Sequence, residues 1–160
     1  MVSTFMASGV GLLLIWIMVD DLRRYRIRNR WVGCLILAFV LACGMADRFD
    51  LLVSHGFFAT AGFAVLACLF SVGLMGGGDA KLLAAALLWT GPEGCLLYSI
   101  LLLPCAIVYV LGARFAGWPA RRKAQGLEIP FGPSIAVAWL AFMVLAVWLD
   151  GPVPLPRPNG

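Results

Sequence analysis

Charge is scarce in this chain. Only 12% of its 160 residues are Asp, Glu, Lys or Arg, and 62% are hydrophobic. A soluble domain carries about a quarter charged residues and roughly half apolar ones. The composition therefore excludes an ordinary soluble domain and indicates a one-domain polytopic membrane protein. Histidine occurs once, as His55, in what reads as an outer loop. A histidine-based metal site or a Ser-His-Asp triad is not expected, since no second histidine exists and Ser71, Ser99 and Ser134 have no nearby base. The cysteines Cys34, Cys43, Cys68, Cys95 and Cys105 all lie in apolar runs and form no Cys-x-x-Cys pair. They read as small buried hydrophobes, not as a zinc or redox module. No Gly-x-x-x-x-Gly-Lys-Ser/Thr stretch exists, which excludes a phosphate loop. Neither a metal nor another cofactor is implied. The net charge of +4 does not signal nucleic acid, because the basic residues sit in short loops between apolar runs. The first run has no basic segment before it and no small-residue cleavage site after it. It is expected to be a retained span and not a removable signal peptide.

The apolar runs predict an all-α protein of six transmembrane helices, forming one domain over residues 1–151. Span one covers Phe5 to Val19, span two Trp31 to Ala46, and span three Phe57 to Met75. Span four covers Asp79 to Trp89 or Thr90, span five Gly94 to Phe115 with a kink at Pro104, and span six Ile135 to Leu149. A crossing needs about 20 apolar residues, so span four is too short unless its polar start lies within the membrane thickness. The tail Pro152 to Gly160 is proline-rich and expected to be extended.

Arg23, Arg24, Arg26, Arg28, Arg30, Lys81, Arg114, Arg121, Arg122 and Lys123 all fall on one side of that layout. Arg48 and Arg157 fall on the other, with Asp47, Asp50, Glu93 and Asp150. The excess of cations on the cytoplasmic side then places both termini outside, in the periplasm. It also brings Asp20, Asp21 and Asp79 to one depth at the cytoplasmic face.

The sequence turns on Gly76-Gly77-Gly78-Asp79-Ala80-Lys81. An ionisable residue beside a membrane span is costly and marks a functional site by default. The plainer alternative is a glycine hinge with Asp79 capping the next helix. Two carboxylates on different elements, sharing one water and one proton, can act as base and acid on a peptide carbonyl. Asp20 or Asp21 at the end of span one and Asp79 at the start of span four fit that requirement.

These residues suggest a family. Asp21-Leu22-Arg23-Arg24-Tyr25-Arg26-Ile27-Arg28-Asn29 resembles the first-aspartate motif of type IV prepilin peptidases, in which Ile-Pro-Asn follows the aspartate six to eight residues on. Gly76 to Lys81 resembles the second motif, Gly-x-Gly-Asp-x-Lys, at every fixed position. Ile129-Pro130-Phe131-Gly132-Pro133 looks like the Pro-aromatic-Gly segment before the last span. Two departures stand out: Arg28 replaces the motif proline, so the turn is less rigidly set, and the early cysteine-bearing domain of the bifunctional, methylating members is missing.

The resemblance implies a short, peptidase-only member of the tight-adherence pilus branch. It would be an aspartic endopeptidase that removes basic leader peptides from pilin precursors at the cytoplasmic face of the bacterial inner membrane. Asp21 and Asp79 would be the catalytic pair. Asp21 is preferred to Asp20 because Ile27 and Asn29 then fall at the family spacing. Neighbouring helical residues point about 100° apart, so both cannot face the same water.

Gly76 and Gly78 would let a substrate backbone approach Asp79. The alternative for them is a hinge. Asn29 belongs to the same supporting set. Lys81 has two readings, as a site residue biasing the pair toward its charged form or as a cation snorkelling to headgroups. The arginines Arg23 to Arg30 are expected to bind anionic lipid. Two competing classes stay open: a small ion-coupled transporter using Asp79 and Lys81, and an inactive scaffold for pilus assembly.

Overall fold

In the computed structural model, residues 2–119, 121–123, 126–128 and 130–148 are described. The Pro-rich tail, Ile129 and Leu149 lie outside them. Helix α1 spans Val2–Arg24, α2 Asn29–Met45, α3 Phe49–Ser71, α4 Gly77–Phe115 and α5 Gly132–Trp148. The chain is helical wherever it is apolar. The all-α class holds, with one short antiparallel pair in the connection from α4 to α5. Strand β1 (Arg121–Lys123) pairs with β2 (Gly126–Glu128) in the register Arg121 to Glu128, Arg122 to Leu127 and Lys123 to Gly126.

Two helices, Phe49–Ser71 and Gly77–Phe115, are long and apolar enough to cross a membrane. Asn29–Met45 and residues 132–146 are shorter apolar helices. Large apolar side chains point outward on several elements, among them Leu12, Phe57, Leu74 and Leu96, with Phe57 80% exposed. A soluble monomer rarely shows contiguous apolar surface on that scale, whereas lipid is matched to it.

Spans four and five follow one another directly as α4, interrupted only at Gly91. There φ is 63° and ψ is −178°, a backbone region that only glycine occupies without strain. Residues 77–90 and 92–115 are thus two helices meeting at a break. The break at Gly91 falls in the expected gap between spans four and five, and the dihedrals at Pro104 stay helical. The first half forms the middle of the molecule. Its Leu82, Ala86 and Trp89 meet Leu35 and Phe39 of α2 and Ile135 and Trp139 of α5 in a common core. Leu14 and Ile17 complete that core from α1.

The largest boundary difference concerns α3. It begins at Phe49, eight residues before the expected Phe57, and ends at Ser71 instead of Met75. Asp50 sits in its first turn, where a carboxylate favours the positive end of the helix, and is held by Arg48 at 3.0 Å. His55 is accordingly not in an outer loop. It lies within α3 and is fully buried, because its ring finds a hydrogen-bond partner inside the protein. The chain leaves α3 through Gly73, whose φ of 77° suits glycine, and enters α4 at Gly76.

Candidate active site

Three connections meet at one end of the bundle. The turn from α1 to α2 runs through Tyr25, whose φ of 53° reverses the chain, and its amide donates to the Asp21 carbonyl at 2.7 Å. Arg28 follows with φ −83° and ψ 134°, immediately before α2. That is close to the backbone of a proline, so the substitution in the motif leaves the local conformation accessible. The turn is tied by charge as well. Asp20 pairs with Arg24 Nε at 2.8 Å and with Arg28 Nε at 3.5 Å. Asp20 therefore faces the arginine turn, while Asp21, one residue on, faces the interior.

Asp21, Asn29, Gly76, Gly78, Asp79 and Lys81 line a single cavity of about 640 Å³. Tyr25, Arg26, Pro130 and Phe131 complete much of its wall. All six residues singled out in the sequence are thus brought together, across three helices and two turns. Asp20 is not among the lining residues.

Asp21 is buried, and its Oδ2 accepts the Gly132 amide at 3.1 Å. Gly132 is the first residue of α5, so the carboxylate sits at a helix N-terminus and takes one of its unpaired donors. Asp79 lies in the first turn of α4, half-buried and within the field of Asp21. Two helix N-termini therefore each present a carboxylate to one cavity. Asp21 lies two residues past the apolar run of α1. Burial pushes its carboxyl up to about 6, the Gly132 N–H works against that rise, and Asp20 adds to it.

The glycines act at contact distance. A Cβ on Gly132 would lie 2.5 Å from Asp21 Oδ2, so the close approach of carboxylate and backbone requires glycine there. A Cβ on Gly78 would meet the Ile27 side chain at 3.1 Å, and one on Gly76 would meet Asp79 Oδ2 at 2.7 Å. Lys81 Nζ donates to Asn29 Oδ1 at 3.0 Å, linking the two motifs across the cavity rim. Beyond that pair lies an apolar groove of about 550 Å³ between α2, α3 and the first half of α4. Asn29 and Lys81 line both spaces.

The sequence alone flags Pro130, Phe131 and Gly132 as a segment but gives Gly132 no task. Its task is a backbone one, invisible in side-chain chemistry. Tyr25 and Arg26 carry no signal beyond lying between two motif residues. No group of three or more His, Cys, Asp or Glu that could hold a metal occurs among the described residues.

The arrangement defines a two-carboxylate site at converging helix ends of an apolar helical protein. A model of the type IV leader peptidase family matches residues 9–117, more than half of the chain, and the chain belongs to that family. The family is one of proteases, and its substrates are leader-bearing peptides. No curated protein and no solved structure matches the chain.

Proposed function

We propose that the protein is an aspartic endopeptidase that cleaves the basic leader from pilin precursors, without a methyltransferase activity. It would act at the cytoplasmic face of the bacterial inner membrane, with six crossings and both termini in the periplasm. The observation that carries this reading is the placement of Asp21 and Asp79 on one cavity, each at a helix N-terminus.

In this reading a water lies between the two carboxyls. Two carboxylates so close cannot both ionise readily, and they titrate as a pair. The Gly132 N–H on Oδ2 favours the ionised form at Asp21, which takes a proton from the water as it attacks the peptide carbonyl. Asp79 holds the other proton and donates it to the carbonyl oxygen; Asp21 then passes the proton it took from the water to the leaving amine as the C–N bond breaks, and Asp79 recovers a proton from the gem-diol as the new carboxyl forms. Lys81, held by Asn29, orients the rim between the polar cavity and the apolar groove. A peptide with a polar leader and an apolar continuation would lie across both spaces. The arginines from Arg23 to Arg30 would hold anionic headgroups at that face, with Arg24 and Arg28 partly neutralised by Asp20.

An ion-coupled carrier would place its ionisable residues at the helix break. The break at Gly91 lies roughly 18 Å along the helix from Asp79, at 1.5 Å per residue. The geometry therefore disfavours a carrier that uses Asp79 and Lys81.

The test is a cleavage assay on a co-expressed pilin precursor. Asp21→Asn and Asp79→Asn should each stop processing while the protein stays in the membrane. Full processing by Asp79→Asn rejects the peptidase. Flux in proteoliposomes without cleavage would favour a carrier, and normal piliation with both aspartates replaced would favour a scaffold.

A further inference from the structure

The break at Gly91 ends the first helix of α4 and Pro92 has no N–H to offer back across it, so the carbonyl of Leu88, four residues before Pro92, has no helical donor. A buried carbonyl left in that state is costly. The structure supplies a substitute from another helix: His55 Nδ1 of α3 lies 2.9 Å from Leu88 O. A carbonyl oxygen can only accept, so Nδ1 carries the proton that is donated to it. Nε2 has no hydrogen-bond partner, and the Glu93 carboxylate stands 3.7 Å away.

The ring is also a wedge. It is fully buried and stacked on Phe39, with centroids 5.6 Å apart and planes at 19°. It occupies the space that a Cβ on Gly91 would need. Trp89 Nε1 meanwhile donates to Leu35 O at 3.0 Å, tying the same end of the short helix to α2. Residues 77–90 thus form a rod about 20 Å long, clamped at the end remote from Asp79.

We propose that His55 is a positioning residue for Asp79. It caps the carbonyl orphaned at the break before Pro92, holds α4 open at Gly91, and so fixes where the rod presents Asp79 opposite Asp21. This role rests on the reading of Asp21 and Asp79 as the reacting pair. The cap itself does not.

The experiment uses the full chain in detergent micelles with a pilin leader peptide as substrate, at a temperature where every variant is folded. His55→Ala should lower kcat by up to about 100-fold, the scale of a displacement near 1 Å, and leave KM unchanged. His55→Asn places an amide N–H near the Nδ1 position and should recover most of the loss. His55→Gln, with its amide one methylene further out, should not. Melting of wild type, His55→Ala, Pro92→Ala and the double variant forms an independent cycle. In the Pro92→Ala background, removal of the ring lets α4 close at Gly91 and bring the new N–H onto Leu88 O, so His55→Ala should destabilise that background less than the wild type. Additive melting shifts overturn the cap. An Asn variant no more active than Ala overturns the positioning role. If the wild type cleaves no leader peptide, the peptidase reading and the positioning role fall together, while the cycle still decides the cap.

Discussion

The two halves of α4 adjoin at Gly91 and behave as different materials. Residues 77–90 are closed in by α2, α3 and α5, with Leu82, Ala86 and Trp89 buried, and they begin with Asp79 and Lys81. Residues 92–115 are longer and largely apolar, and they turn Leu96, Ile100, Leu103 and Val108 outward. The first half is a short strut with Asp79 at one end and the His55 contact to Leu88 at the other. The second half has the length of a membrane crossing by itself. A polar residue can begin a helix at membrane depth only where protein or water, and not lipid, surrounds it. The enclosure of the first half is what makes Asp79 tolerable.

The largest expected effect tests the polar end of the strut. Asp79→Asn should reduce cleavage by about 10³-fold or more, the usual scale for removing one member of a catalytic unit. Arg114→Gln, at the far end of the second half, should leave the rate unchanged, and equal losses in both variants would erase the distinction.

Packing separates the halves next. Leu82→Ala should cost about 2 kcal/mol of stability, the cavity contribution alone, since a leucine gains nothing by leaving lipid for a protein core. Leu103→Ala, 64% exposed, should stay within about 0.5 kcal/mol. Denaturant titration in micelles compares them directly. Similar costs would mean that the second half is as enclosed as the first.

A smaller effect concerns pH. The native carboxyl of Asp21 is raised from 3.8 to about 6, so the folded protein holds this proton more tightly than the unfolded chain. Its contribution is fully present below about pH 4 and is lost as pH rises through 6. Asp21→Asn removes that penalty and keeps an oxygen for the Gly132 N–H. It should be more stable than wild type at pH 7.5 by about 1–2 kcal/mol, less than the full shift because the cavity admits water. The difference should close by pH 4, and thermal melts across that range would show it. A constant difference would mean that burial does not strain this carboxylate.

The smallest effect is at the rim. Lys81→Met breaks an exposed contact to Asn29 and should lower kcat/KM by no more than about tenfold, or 1.4 kcal/mol. A loss as deep as that of Asp79→Asn would move Lys81 into the chemistry itself.

Much of the site was legible because charge is rare here. Asp21, Asn29, Asp79 and Lys81 stand out against apolar runs, and helical geometry alone separates Asp20 from Asp21. The direction each of these acids takes was not legible. It depends on Arg24 and Arg28 drawing Asp20 one way and the first amide of α5 drawing Asp21 the other. His55 misled for a related reason. A lone polar residue between apolar runs suggests a loop, and only its meeting with Leu88, left without a donor at the break before Pro92, keeps it inside α3. The same polar stretch accounts for the shifted start of α3.

The order of residues by itself determined the helical class, the apolar exterior and the short list of acids able to do chemistry. Those follow from local composition and spacing, which any segment carries with it. Only the folded arrangement decided that a backbone amide from one helix would hold Asp21, that two helix ends would face one cavity, and that a histidine would meet the broken helix at Leu88. Each of those depends on groups far apart in the chain, and nothing in either partner alone announces the other.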